Sequence, residues 1–414
     1  MGLMFIAINP AALANESIQS IEVLLEHALH KNPSILSAMA QTEAANVEIQ
    51  TAKKGYWPTV QILSESGSLN NGTNLVIEQP LWAGGALTAK VKEAVSVAKA
   101  HQAILDTQRL QIGLRVTEAW QNLRESSASI TIHERSLIQQ ERYEALIKRR
   151  VKASASPPID LELIQSRIQQ TRSEMLEAIT LQKIALSKLE RLAGYEISLE
   201  QREKLIKSIP IEIFLNAATD ERLKLSTQLI YRHPQILRSE YEIEAASSRL
   251  DQQRAASWPQ LILRYQRQLT GPVFSGITRD RVGFFLNYST GAGFSNTSKA
   301  NTEEKRIIGL QFSAEALLQE LNEQVLLEWI TLRREIQRQE SFKKASSNGQ
   351  EILDSYERQF LAGRKTWVDV LNTLREMTQN ELKNANAEAG AAASLLRTNF
   401  RLGILPNDEN WKLQ

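Results

Sequence analysis

No cysteine occurs in the 414 residues. That one absence removes disulfides, thiolate metal sites, cysteine nucleophiles and a lipidated N-terminal cysteine, and it is compatible with an oxidising compartment without requiring one. Charge of one sign is missing too: 49 basic against 47 acidic residues leave a net +2, so no large field points to nucleic acid or anionic lipid. Beyond the first 14 residues there is no uninterrupted apolar run near the ~20 residues a membrane-spanning helix needs. If the chain meets a bilayer, it must do so with strands.

Catalytic constellations are also absent. Of the five histidines, His27, His30, His101, His133 and His233, the first two share a helix face at a spacing of three, but no third metal ligand accompanies them. Gly291-Ala292-Gly293 lacks the Lys-Ser/Thr ending and the βαβ context of a phosphate loop. Nothing pairs a nucleophile with a base, so no enzyme activity, cofactor or metal is expected. Residues 1–14, apolar and ending Ala12-Leu13-Ala14, read as a remnant signal peptide without its basic start.

What the chain does contain is written twice. Residues 24 to 58 overlay 225 to 259 at an offset of 201, pairing Pro33 with Pro234, Ile35 with Ile236, Glu43 with Glu244, Trp57 with Trp258 and Pro58 with Pro259, among other identities. Further on the offset is 209, pairing Trp120 with Trp329, Arg124 with Arg333, Asp160 with Asp369 and Gly194 with Gly403. Such self-similarity is a duplicated unit. The boundaries expected are 15–218 and 219–414. The eight-residue excess of the second copy falls on its hairpin tip, around 270 to 280.

Proline is missing from 86 to 152, where Val91, Ala98, Leu105, Ile112 and Ala119 recur every seventh position beside Val116, Leu123, Ile130 and Leu137. Interlocking threes and fours make a coiled-coil seam, and about 67 residues at about 1.5 Å each give a helix of roughly 100 Å. A second long helix is expected over about 297–361, with a weak spot at Ser346-Ser347-Asn348-Gly349. Shorter helices over 19–55, 160–193, 219–256 and 368–402 suit antiparallel packing, two half-length helices along one long partner. After Trp57-Pro58 and Trp258-Pro259 the period drops to two, predicting hairpins over about 58–82, turning near Asn70-Asn71-Gly72, and about 259–289. The turns after the long helices fall at 153–159 and 362–368. Four strands of about ten residues match a bilayer, but about eight are needed to close a barrel. Closure then requires more than one chain; a small soluble sheet capping a helical bundle is the other reading.

These landmarks resemble the TolC-like outer membrane factor family, the outer membrane efflux proteins. The resemblance is carried by Asn32-Pro33-Ser34-Ile35, Arg232-His233-Pro234-Gln235-Ile236, Tyr56-Trp57-Pro58, Ser257-Trp258-Pro259, Gln79-Pro80-Leu81-Trp82-Ala83-Gly84-Gly85 and, most specifically, the run from Phe360 to Leu371. It implies a mainly α fold with a small β part: a trimeric TolC-like α/β-barrel of long antiparallel coiled-coil helices plus four membrane β-strands per chain. Even strand numbers alone also permit an eight-stranded dimer; three comes from the resemblance. The implied setting is the outer membrane, extending into the periplasm. The implied partners are two further copies, a periplasmic adaptor (membrane fusion) protein, an inner membrane transporter of ABC or RND type and outer membrane lipid.

The resemblance further makes Asp369, Asp160, Lys365, Phe360 and Asn372 candidates for a pore constriction or gate, with Asn372 standing where some members carry a second acid. Capping a helix start is the plainer role for Asp160 and Asp369, and both roles can hold together. Ser154, Pro157, Pro158, Gly363, Arg364, Thr366 and Trp367 are candidates for docking the adaptor. Asn287 to Gly293 looks like the members that export large adhesins by type I secretion. Small-molecule efflux is the alternative cargo, and a soluble periplasmic coiled-coil scaffold or adaptor is the alternative of another class.

Overall fold

A computed structural model of the chain describes residues 10–66, 71–207, 229–271 and 278–406. Most of the segment expected to be a remnant signal peptide, the tips of both hairpins and the start of the helix expected over 219–256 lie outside the described residues. The elements run α1 (Pro10–Lys31), α2 (Pro33–Lys54), β1 (Thr59–Ser66), β2 (Asn71–Trp82), α3 (Ala86–Lys152), α4 (Pro158–Ala193), α5 (Leu199–Ile206), α6 (Pro234–Ala255), β3 (Gln260–Thr270), β4 (Asp280–Asn287), a 3-10 turn (Ala292–Phe294), α7 (Ser295–Leu361) and α8 (Trp367–Arg401).

The boundaries follow from local chemistry. Pro33 and Pro234 each open a helix, where a missing N–H costs nothing. The residue before each proline is the cap: Asn32 Oδ1 accepts from the Ser34 amide at 3.0 Å, and His233 Nδ1 accepts from the Gln235 amide at 3.2 Å. The helix expected over 19–55 is therefore two helices, with Asn32 as the break. At the other end of the first copy's short pair, Gly194 closes α4 with φ 78°, a left-handed value that glycine adopts without strain. The weak spot expected at Ser346 to Gly349 does not interrupt α7; a Cβ at Gly349 would make only ordinary contact with Met377.

Two compact units form, and each draws on both sequence copies. One comprises Met1–Ile35, Gln108–Ile230 and Leu321–Gln414; the other comprises Leu36–Thr107 and Tyr231–Glu320. Compactness thus cuts across the expected division at 218. In the first unit, Ile112, Val116, Ala119, Trp120 and Leu123 of α3 are buried, as the heptad pattern predicts. Past Leu123 the seam changes register. Ile130 and Leu137 are half-buried, and the buried stripe passes to Ile132, His133, Ser136, Gln140, Tyr143 and Ile147. Two polar members of that stripe bond neighbouring helices: Gln140 Nε2 donates to Thr171 Oγ1 of α4 at 2.9 Å, and Ser136 and Thr378 of α8 share a bond of 3.3 Å. Without those partners, burying them would be unfavourable.

The second unit carries one antiparallel sheet in the order β1-β2-β3-β4. Pairing of β2 with β3 joins the hairpin of the first copy to that of the second, with Ile77 opposite Tyr265 and a register shift at Pro80/Trp82. Both outer strands have one neighbour among the described residues. Gly84, at φ 59°, lets the chain turn from β2 toward α3; a Cβ there would lie 2.8 Å from Cβ of Trp258. No described helix is long and apolar enough to cross a membrane.

Candidate functional site

The sheet has two chemically different faces. Directly opposed residues share a face, so the pairings Val60–Ile77–Tyr265–Val282 and Leu263–Phe284 and Leu261–Leu286 define one side. On it Val282, Phe284 and Leu286 are 70, 72 and 70% exposed, a density of uncovered apolar surface that water does not favour. The opposite side carries Gln61, Glu78, Arg264, Gln266 and Arg281. There Arg264 donates from Nε to Glu78 at 2.6 Å, and its guanidinium lies 4.3 Å from the ring centre of Phe285. At one end of the sheet, where the strands meet the helices, Trp57, Trp82, Trp258 and Tyr288 are exposed. An apolar face, a polar face and an aromatic border are the pattern of a membrane β-barrel wall.

The other candidate site is the pair of turns after the long helices, in the first unit. Their backbones are the same. Ala153, Ser154 and Ala155 amides donate to Arg149, Val151 and Arg150 carbonyls at 3.1, 3.0 and 2.8 Å; Ala362, Gly363 and Arg364 amides donate to Arg358, Phe360 and Gln359 at 3.1, 3.0 and 2.8 Å. Each bond of the second set is the first shifted by 209 residues. Both turns place their second residue in the left-handed region, Ser154 at φ 56° and Gly363 at φ 74°.

What the turns present differs. In the second, Thr366 caps α8 through a reciprocal box: the Asp369 amide donates to Thr366 Oγ1 at 3.2 Å, while Asp369 Oδ2 accepts from the Thr366 hydroxyl at 2.8 Å and its amide at 3.1 Å. The Thr366 hydroxyl, then its amide, hold the Asp369 carboxyl below the ordinary aspartate value, and Lys365 adds to that. Lys365 lies with Nζ 4.2 Å from the ring centre of Tyr356. Arg364, Val368 and Asn372 are exposed. Trp367 is not on the surface where an adaptor could reach it. It is 3% exposed, its ring 5.3 Å from Tyr143 and 5.4 Å from Phe360, in a core shared with Ile147, Ile164 and Val370. A large ring directly at a helix start is covered because it plugs the space between the turns. Phe360 is buried in the same core.

In the first turn, Pro157 and Pro158 start α4 with no side-chain cap. Asp160 donates its amide to the Pro157 carbonyl at 3.1 Å, so the capping role expected of it is taken by backbone alone. Burial raises the Asp160 carboxyl pKa, and Arg150 partly offsets this. Arg150 went unmarked in the sequence, yet it organises the turn. Its Nε donates to Ser156 Oγ at 3.1 Å, its Nη2 to the Ala155 carbonyl at 3.2 Å, and its guanidinium lies 4.7 Å from the ring centre of Phe360. The available signal was its place in the basic last turn of α3, with Arg149 and Lys152, where a cation meets unsatisfied carbonyls. Ser154, Pro157 and Pro158 are exposed. Among the described residues no three potential ligands gather around a metal position.

Residues 24–195 match the family model described as outer membrane efflux protein. Protein CyaE of Bordetella pertussis (strain Tohama I) is 30% identical over 147 residues, an alignment covering 32% of this chain and 30% of that protein. The chain therefore aligns with about a third of that curated relative's length. The outer-membrane channel OprN superimposes with a TM-score of 0.79 at 16% identity, over 94% of this chain and 92% of that one. The outer membrane protein VceC from Vibrio cholerae gives 0.77 at 16% identity, over 95 and 99%. Residues 24–195 thus match the outer membrane efflux protein family, and nearly the whole chain has the fold of solved outer membrane channels.

Proposed function

We propose that the chain is one third of a passive duct: a homotrimer whose twelve pooled strands line the outer membrane and whose helices form the tunnel beneath it. The observation that carries this reading is the two-faced sheet whose outer strands, β1 and β4, each leave one edge unpaired among the described residues. An exposed, flat, apolar sheet with free edges is unstable in water, and backbone polar groups in lipid must all be paired. Pairing β4 of one copy with β1 of the next removes both liabilities together. The duct works with a periplasmic adaptor and an inner membrane transporter that supplies the energy.

The gate in this reading is the pair of turns. Three copies of Asp369 around a narrow axis repel one another and attract cations, with Asp160, Lys365, Phe360 and Asn372 in supporting positions. Ser154, Pro157, Pro158, Gly363, Arg364 and Thr366 are the surface offered to the adaptor. The cargo we favour is protein exported by type I secretion, supported by the resemblance of residues 287 to 293 to adhesin exporters. Small-molecule efflux is the second reading, favoured by the description of the family whose model matches.

Deleting the gene separates these. Loss of a large secreted protein from the medium, with unchanged resistance to drugs and detergents, supports secretion; lost resistance with intact secretion gives the efflux reading. Recovery of the protein as a soluble monomer in detergent-free periplasmic extract would sink the duct itself.

A further inference from the structure

Within the first unit, α3, α4 and α8 line a half-open cavity of about 520 Å³ that neither the sheet nor the turns use. Its size falls in the range of small-molecule sites. Three carboxylates line it, Glu125, Glu174 and Glu177, against one lysine ammonium, Lys188. Leu181, Ile184 and Leu382 supply apolar wall.

Acidic residues on helices are ordinarily a solvated surface, but here a second feature points inward. His133 is 5% exposed, lines the cavity, and its Nδ1 has no hydrogen-bond partner. Glu174 Oε2 lies 3.8 Å away, beyond bonding distance. Glu174 uses its other oxygen to accept from Gln170 Nε2 at 3.0 Å. Burial lowers the His133 pKa while Glu174 pulls it the other way; in the neutral ring that carries its proton on Nε2, Nδ1 is an acceptor. Two acceptors 3.8 Å apart can both be reached by one ammonium nitrogen at about 2.8 Å from each. A neutral hydroxyl has one proton to give and could serve only one of them.

We infer that this cavity binds a small amphiphilic organic cation, its primary ammonium set between His133 and Glu174 and its apolar body against Leu181, Ile184 and Leu382. A hydrated metal ion suits the site poorly: no three ligating side chains converge among the described residues, and much of the wall is hydrocarbon. The net negative lining excludes anions of the same shape.

Isothermal titration of the full-length protein in nonionic detergent with 4-phenylbutylamine, 4-phenylbutanol and 4-phenylbutyrate tests this, because the three differ only in their head group. The amine is expected to give a saturable isotherm, with the alcohol and the acid binding at least about tenfold more weakly. Glu174→Gln should weaken the amine by about tenfold and His133→Leu by a similar factor. Glu174 is 45% exposed in its side chain, so its amide variant keeps the fold, which far-UV circular dichroism verifies. Equal binding of the three probes means apolar partition alone and overturns the inference. Unchanged amine affinity in Glu174→Gln overturns it too, as does the absence of any saturable heat, the result expected if a second copy of the chain fills the cavity.

Discussion

The guanidinium of Arg150 lies 4.7 Å from the ring centre of Phe360, joining the last turn of α3 to the last turn of α7. Since the same side chain bonds Ser156 and the Ala155 carbonyl, one residue fixes the first turn and anchors it to the core beneath the second. Arg150→Ala should destabilise the protein by about 2 kcal/mol, from the lost stacking and hydrogen bonds. Hydrogen exchange should show the amides of Ala153 to Ala155 losing protection first. Arg150→Lys should restore little, because an ammonium cannot reproduce the planar fork.

Ser154 and Gly363 occupy the same left-handed position in equivalent turns, and only one of them is glycine. Ser154→Gly should stabilise by about 1 kcal/mol and Gly363→Ala should destabilise by about the same amount. Urea unfolding of the two variants and the parent measures both signs in one series.

Asp369 and Asp160 should part company on acidification. The folded-state pKa of Asp369 lies below its unfolded value, so its contribution is complete above the unfolded value, about 3.9, and is lost as pH falls through the folded one. Asp160 has a raised folded pKa and takes up its proton earlier, which favours the folded state as pH falls. Denaturation midpoints followed from about pH 6 to about pH 3 should therefore fall less steeply in Asp369→Asn than in the parent, and more steeply in Asp160→Asn. In planar bilayers Asp369→Ala should weaken block of the current by polyvalent cations, and unchanged block would leave Asp369 a cap alone.

Phe284 and Gln266 lie on opposite faces of the sheet. Phe284→Arg should cost about 2 to 4 kcal/mol in lipid, whereas Gln266→Arg should be close to neutral and shift ion selectivity toward anions. Folding yield into vesicles reads the first, and reversal potentials read the second.

Gly113 of α3 faces Phe400 of α8 so closely that a Cβ would sit 2.4 Å from ring carbons Cε1 and Cζ. Gly113→Ala should be destabilising by about 1 to 3 kcal/mol despite the better helix propensity of alanine. A melting curve checks it, and Phe400→Leu in the same chain should recover part of the loss by making room.

Much of this fold was legible because its signals are periodic and local. The hairpins and long helices lie where period two and the heptads place them, bounded by Trp-Pro pairs and by turns. The change of seam at Leu123 was not legible: it substitutes His133, Ser136 and Gln140 for apolar residues, and Ser136 and Gln140 are acceptable there because of Thr378 and Thr171 on other helices. Arg150 was hidden for a similar reason, since its worth lies in Phe360, more than two hundred positions on. Trp367 read as a surface feature because it adjoins a turn, and only packing reveals it as the plug. The gate candidates came from family resemblance rather than from chemistry visible in the chain, whereas the cavity at His133 needed three helices assembled before it existed at all.

Residues 153–157 and 362–366 share a backbone frame while almost every side chain has diverged. Grafting the five residues of one turn onto the other should therefore leave the helices that enter and leave it in place. Duplication thereby left this chain two copies of one turn whose side chains vary while the backbone frame stays the same.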